Sequence, residues 1–166
     1  YLSKEDSYDN NDSRFDERLL TGCETLIDTE VKNSSISINN CTNEDAINFI
    51  RSKGFNNNIY VKNSKYDGVD LDFSNLFFNE IKIENSGNDC LDVSGGVYNI
   101  KYLYGKFCYD KGISVGEKSQ VSINNLEIFE SEIGFALKDD SILHLIKGKF
   151  DNNKICGEIY NKKQEF

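Results

Sequence analysis

A 22-residue step runs through this chain and limits what it can fold into. Gly68-Val69-Asp70-Leu71-Asp72 returns as Cys90-Leu91-Asp92-Val93-Ser94 and then as Gly112-Ile113-Ser114-Val115-Gly116. The register extends forward to Gly134-Phe135-Ala136-Leu137-Lys138 and back to Ala46-Ile47-Asn48-Phe49-Ile50. Self-similarity at such a period marks stacked structural units, each burying its apolar face against its neighbours.

The interior of each unit alternates rather than following a helical period. One alternating segment holds Ile59/Val61, Ile81/Ile83, Val121/Ile123 and Leu143/Leu145, and a second holds Val69/Leu71, Leu91/Val93, Ile113/Val115 and Phe135/Leu137. Asn, Ser, Gly, Asp and Lys separate them, the residues of tight turns. Glu44–Ile50 alone could pass for a helical turn, but the register puts Ile47 and Phe49 where later units have Val69 and Leu71. The expected fold is all-β: a right-handed parallel β-helix of five to six coils over residues 21–160, after a polar lead-in or cap at 1–20 and before a polar tail at 161–166. The absence of proline fits, since every internal strand needs its N–H. The residue before each inward pair is small (Ala46, Gly68, Cys90, Gly112, Gly134, Cys156), as a sharp bend requires. A further column, Asn63, Asn85, Phe107, Phe129, predicts an asparagine ladder giving way to stacked core phenylalanines.

Composition narrows the partners. The net charge of −9 argues against nucleic acid, and no apolar run is long enough to span a membrane. The chain begins at Tyr1 and holds no Met, which predicts a segment of a larger exported or cell-surface protein. Of the five cysteines, Cys90 and Cys156 share a column three coils apart, and Cys41 and Cys108 are equally distant. That spacing predicts buried thiols rather than disulfides. The single histidine, His144, alternates with Leu143 and Leu145 and should face solvent.

One feature is not explained by repetition. Asp67, Asp70 and Asp72 on one coil stand a rung below Asp89 and Asp92 on the next, so carboxylates should lie about 5 Å apart. Like charges so close raise one another's pKa unless neutralised. Calcium on Asp70, Asp72 and Asp92, the lysines Lys65 and Lys111, or solvent would serve.

The phrases carrying these acids resemble a known family, the pectin-lyase-like right-handed β-helices, and within it the polygalacturonases. Lys65-Tyr66-Asp67-Gly68, Gly87-Asn88-Asp89-Cys90 and Asp110-Lys111-Gly112-Ile113-Ser114-Val115-Gly116 are similar to that family's Asn-Thr-Asp-Gly, Gly-Asp-Asp-Cys and Gly-His-Gly-Ile-Ser-Ile-Gly motifs. The resemblance implies catalytic roles for Asp67 and Asp89, with Lys111 at the histidine position; separately, a groove along the stacked aspartates would place substrate contacts on Asp70, Asp92 and Asn88. Asn88 replaces the third carboxylate, and no Arg-x-Lys phrase follows. Three functions stay open: a rigid scaffold, a carbohydrate-binding module, or a lyase, epimerase or hydrolase of uronic-acid polymers. The expected partners are polysaccharide or other domains of a larger protein. No cofactor is required, and calcium is the one candidate.

Overall fold

The computed structural model describes residues 20–162 and is a parallel β-solenoid of about six turns. The lead-in expected at 1–20 lies outside the described residues except for Leu20, and the tail is described only to Lys162. Twelve strands follow in order: β1 (Gly22–Ile27), β2 (Glu30–Lys32), β3 (Ser35–Cys41), β4 (Asp45–Ile50), β5 (Lys53–Ser64), β6 (Asp67–Ser86), β7 (Leu91–Cys108), β8 (Lys111–Gly116), β9 (Gln120–Phe129), β10 (Ile133–Lys138), β11 (Ile142–Asp151) and β12 (Ile155–Tyr160). The long strands β6 and β7 bend around corners without losing their inter-coil pairing.

Each coil has three faces, one more than the two alternating segments suggest. The first face runs through β1, β4, the starts of β6 and β7, β8, β10 and β12. Its inward columns read Ile47, Val69, Leu91, Ile113, Phe135 and Phe49, Leu71, Val93, Val115, Leu137. Val121/Ile123 and Leu143/Leu145 align with Tyr98/Ile100 on a second face. Ile59/Val61 and Ile81/Ile83 belong to a third, continued by Leu103 and Leu126. Sequence alternation is the same on every face, so it could not separate them.

The central inward residues have no solvent exposure, each burial worth about 1.5–3 kcal/mol. Buried Tyr98 is satisfied: its hydroxyl accepts the Ser74 N–H and donates to the Leu71 carbonyl. The small-residue column has a direct cause. A Cβ on Gly112 would stand 2.4 Å from Ile128 Cγ2 across the narrow interior.

The corners explain the asparagines. Asn40, Asn63, Asn85, Phe107, Glu130 and Asn152 all hold positive φ, in one column. Asparagine tolerates that left-handed conformation better than other side chains bearing a Cβ. The amide ladder is present: Asn85 donates to Asn63, and Asn63 to Asn40. The phenylalanine continuation is not. An extra residue at the Glu117–Lys118 turn shifts the register, so Lys106 faces Phe129 and Phe107 aligns with Glu130. Phe107 points outward and is 47 % exposed.

The cysteine expectation is overturned as well. Cys23 bonds Cys41 and Cys90 bonds Cys108. Both pairs are 18 residues apart, with Cα atoms at 6.1 and 5.2 Å. Comparing cysteines along columns missed the reach across a single coil, where the chain returns on itself within one turn. Cys156 is a free and exposed thiol.

Candidate functional site

The acidic residues form two adjacent columns on the first face. Asp45, Asp67, Asp89, Lys111, Ile133 and Ile155 make the first, at the strand starts. The three aspartates are buried, at 1 %, 8 % and 4 % exposure. Asp67 Oδ1 accepts the backbone N–H of Asp89 at 2.7 Å and the Asn88 amide at 2.8 Å. Asp89 Oδ1 accepts the backbone N–H of Lys111 at 2.9 Å and its ammonium at 3.4 Å. The Lys111 ammonium also bonds Asp110. The Asp67 and Asp89 carboxylates thus tie their coils to the next by hydrogen bonds, whereas Asp45 bonds Asn48 within its own coil.

Asn48, Asp70, Asp92 and Ser114 form the second column, pointing away from the interior. The Asn48 amide donates to Thr21 Oγ1 at 2.8 Å and to the Asp45, Asp70 and Asp72 carboxylates at 3.3–3.4 Å. Two buried atoms here have no hydrogen-bond partner among the described residues, Asn48 Oδ1 and Ser114 Oγ. Asp92 Oδ1 accepts its neighbour's N–H at Val93. Asp45 and Asn48 were missed in the sequence although they share columns with Asp67 and Asp70, because the motif likeness starts one coil later.

Burial dominates the electrostatics. It pushes Asp45 and Asp67 up to about 6 and Asp89 to about 7, although Lys111 pulls Asp89 the other way. Asp70 is raised by burial and then by Asp45, Asp72 and Asp92, and Asp72 by burial against the Asn48 hydrogen bond. Burial would lower Lys111, but Asp110 and Asp89 outweigh it and hold it above the ordinary lysine value. An ammonium so held is a poor proton acceptor. Among the described residues no three acidic, histidine or cysteine side chains converge on a position that would hold a metal ion.

The inter-coil bond can be tested directly. Asp67→Asn keeps an acceptor oxygen and removes a buried charge, so at neutral pH it should stabilise by about 1–2 kcal/mol. Asp67→Ala leaves the Asp89 N–H unpaired and should cost about 1–3 kcal/mol. Urea unfolding of both variants checks the sign of each change.

A second region was not found from the sequence. Beside the first column, at the corners and turns that end β6, β7, β9 and β11, an open groove of about 930 Å³ is lined by Asn85, Phe107, Tyr109, Glu130, Glu132, Asn152 and Lys154, among others. Tyr109 is 80 % exposed. Phe107 holds φ +56°, a conformation that costs a bulky residue about 1–2 kcal/mol. The Lys106 ammonium lies 4.6 Å from its ring centroid and 3.3 Å from Glu130, and Lys154 pairs with Glu132. The walls therefore offer aromatic faces, amide side chains and internally neutralised charges. Exposed aromatics at turns are a weak sequence signal, and this one was hidden by reading Phe107 as core.

Fold and site together define a parallel β-solenoid with a buried acidic ladder and an aromatic edge groove. No protein-family model, curated protein or solved structure matches the chain.

Proposed function

We propose that this solenoid is a carbohydrate-binding module, and that its binding face is the groove beside Phe107 and Tyr109. The observation that carries the reading is Phe107 itself. Its column holds asparagine at the three preceding corners, so a half-exposed phenylalanine there sacrifices backbone comfort for an aromatic surface. Aromatic faces with neighbouring amides and carboxylates suit a sugar's apolar face and its hydroxyl rim. Neutral glycans are favoured over polyuronates, because the groove carboxylates are already paired and the chain carries −9 overall.

Catalysis on uronic-acid polymers is the weaker reading. Asp67 and Asp89 are engaged by the next coil's backbone, and Lys111 is held protonated. The pectin-lyase-like likeness of the Asp67, Asp89 and Lys111 phrases then marks shared solenoid construction more than shared chemistry. Two disulfides support an oxidising setting, at a cell surface or outside the cell, with other domains as neighbours.

Phe107→Asn separates function from stability. It should extend the amide ladder and raise stability by about 1 kcal/mol, yet weaken glycan binding by about tenfold. A neutral-glycan array with the wild type and this variant reads the binding, and thermal melting reads the stability. An unchanged array profile would remove Phe107 from the site.

A further inference from the structure

We infer that Asn33 and Asn40 carry N-linked glycans, on exposed corners where each amide oxygen is engaged and each amide nitrogen is left open. Asn33-Ser34-Ser35 and Asn40-Cys41-Thr42 are the N-x-S/T triplets among the described residues. A further triplet, Asn11-Asp12-Ser13, lies outside them. The triplet is the acceptor pattern for attachment of a sugar chain to asparagine.

In a chain so rich in asparagine a triplet alone selects little, and its place in the fold selects more. Asn33 and Asn40 are exposed, as are Ser35 and Thr42, the hydroxyl residues of the two triplets. Both asparagines hold positive φ, 52° and 59°, at corners where the chain leaves one face for the next.

The amide ladders give the two side chains one orientation. Asn56 Nδ2 donates to Asn33 Oδ1 at 3.2 Å, and Asn63 Nδ2 donates to Asn40 Oδ1 at 3.0 Å. Asn85 Nδ2 donates in turn to Asn63 Oδ1 at 2.8 Å. Each amide donates toward the preceding coil, so Asn56, Asn63 and Asn85 have their nitrogens in use. Among the described residues Asn33 and Asn40 enter the ladders only as acceptors. A glycan replaces one of the two hydrogens on Nδ2 and leaves Oδ1 in place, so both inter-coil bonds survive the modification.

The co-reactant is a lipid-diphosphate-linked oligosaccharide. The amide nitrogen attacks its anomeric carbon, and the N–C bond forms as the bond from that carbon to phosphate oxygen breaks. The lipid diphosphate leaves with the electron pair, and the displaced amide proton passes to a base on the transferase. Transfer acts on the emerging chain, so the fold decides whether the coil can close around the added sugar. Cys41, inside the second triplet, is buried and bridged to Cys23, while Asn40 and Thr42 on either side face solvent. The bridge can therefore form beneath the glycan. An oxidising secretory route, which the two disulfides support, is also where such transfer takes place. Neither asparagine lines the groove beside Phe107, so the inference does not depend on what that groove binds.

Peptide mapping of the chain purified from its own cells tests this, after peptide N-glycosidase, which leaves aspartate wherever a glycan stood. The expected result is that conversion at positions 33 and 40, with Cys23 and Cys41 bridged in the same digest. In chains secreted from cultured eukaryotic cells, Ser35→Ala should remove the first glycan and Thr42→Ala the second. Each should lower the intact mass by one oligosaccharide, and each leaves the asparagine ladder untouched. Unmodified asparagine at both positions, in a chain whose bridges have formed, would overturn the inference. So would secreted masses that neither substitution lowers. The map reads no binding, so either result leaves the groove to its own test.

Discussion

Raising the pH from about 4 to about 8 is expected to destabilise this solenoid by several kcal/mol, the reverse of ordinary acid denaturation. Asp45 and Asp67 are raised by burial to about 6 in the folded chain, and Asp89 to about 7. Unfolded aspartate titrates near ~3.9. A folded-state pKa above the unfolded one means that the fold prefers the neutral acid. The resulting stabilisation is complete below about pH 4 and is lost as pH rises through about 6–7. Each pKa unit corresponds to about 1.4 kcal/mol, so three such groups suffice even after generous discounting. Asp70, raised to about 10, extends the loss above neutrality, and Asp72 is raised in the same direction. Asp28, Glu30 and Glu84 are lowered by Arg51, Lys32 and Lys82, but Asp28 and Glu30 are exposed, Glu84 is half-buried, and all three act below this window. Urea midpoints across the range, with and without calcium, check the account. A maximum near neutrality without calcium would contradict it. A rise in the neutral-pH midpoint on adding calcium would show that a cation can replace protons in neutralising the folded chain's carboxylates.

Loss of the Cys90–Cys108 bridge is expected to have the next largest effect. The bond closes an 18-residue separation in the middle of the solenoid, for which chain entropy gives about 3 kcal/mol. At about 2–4 °C per kcal/mol for a chain of this size, the melting temperature should fall by roughly 10 °C. The Cys90→Ala/Cys108→Ala pair avoids burying new polar groups where both sulfurs are now enclosed. Opening Cys23–Cys41 should cost less, because it staples the first described coil, which among the described residues pairs with a neighbour on one side. Scanning calorimetry of both paired variants separates the two. Equal melting temperatures for wild type and the central pair would show that packing alone fixes the coil.

The solenoid was legible because its cause is local and repeated. An inward pair such as Leu91/Val93 recurs every 22 residues on the first face, the pattern of stacked coils. The acidic columns were legible for the same reason, since Asp70 must lie a rung from Asp92 once the register is set. What the step could not convey was anything perpendicular to it. The disulfides cross a coil rather than climb a column. The third face repeats the same alternation as the second. The one-residue insertion at Glu117–Lys118 moves Phe107 out of the Phe129 column, and with it the groove. Motif likeness singled out Asp67 and Asp89 but carried no information about what their oxygens bind, which here is backbone N–H.

The central claim is that binding resides in the edge groove and the acidic ladder is structural. Calorimetric titration of one neutral oligosaccharide selected from the array, into the wild type, Tyr109→Ala and Asp89→Asn, tests it in a single series. The account predicts that Tyr109→Ala loses about tenfold or more in affinity while Asp89→Asn binds as the wild type does. Binding that survives Tyr109→Ala and disappears with Asp89→Asn would contradict it and return the function to the acidic columns.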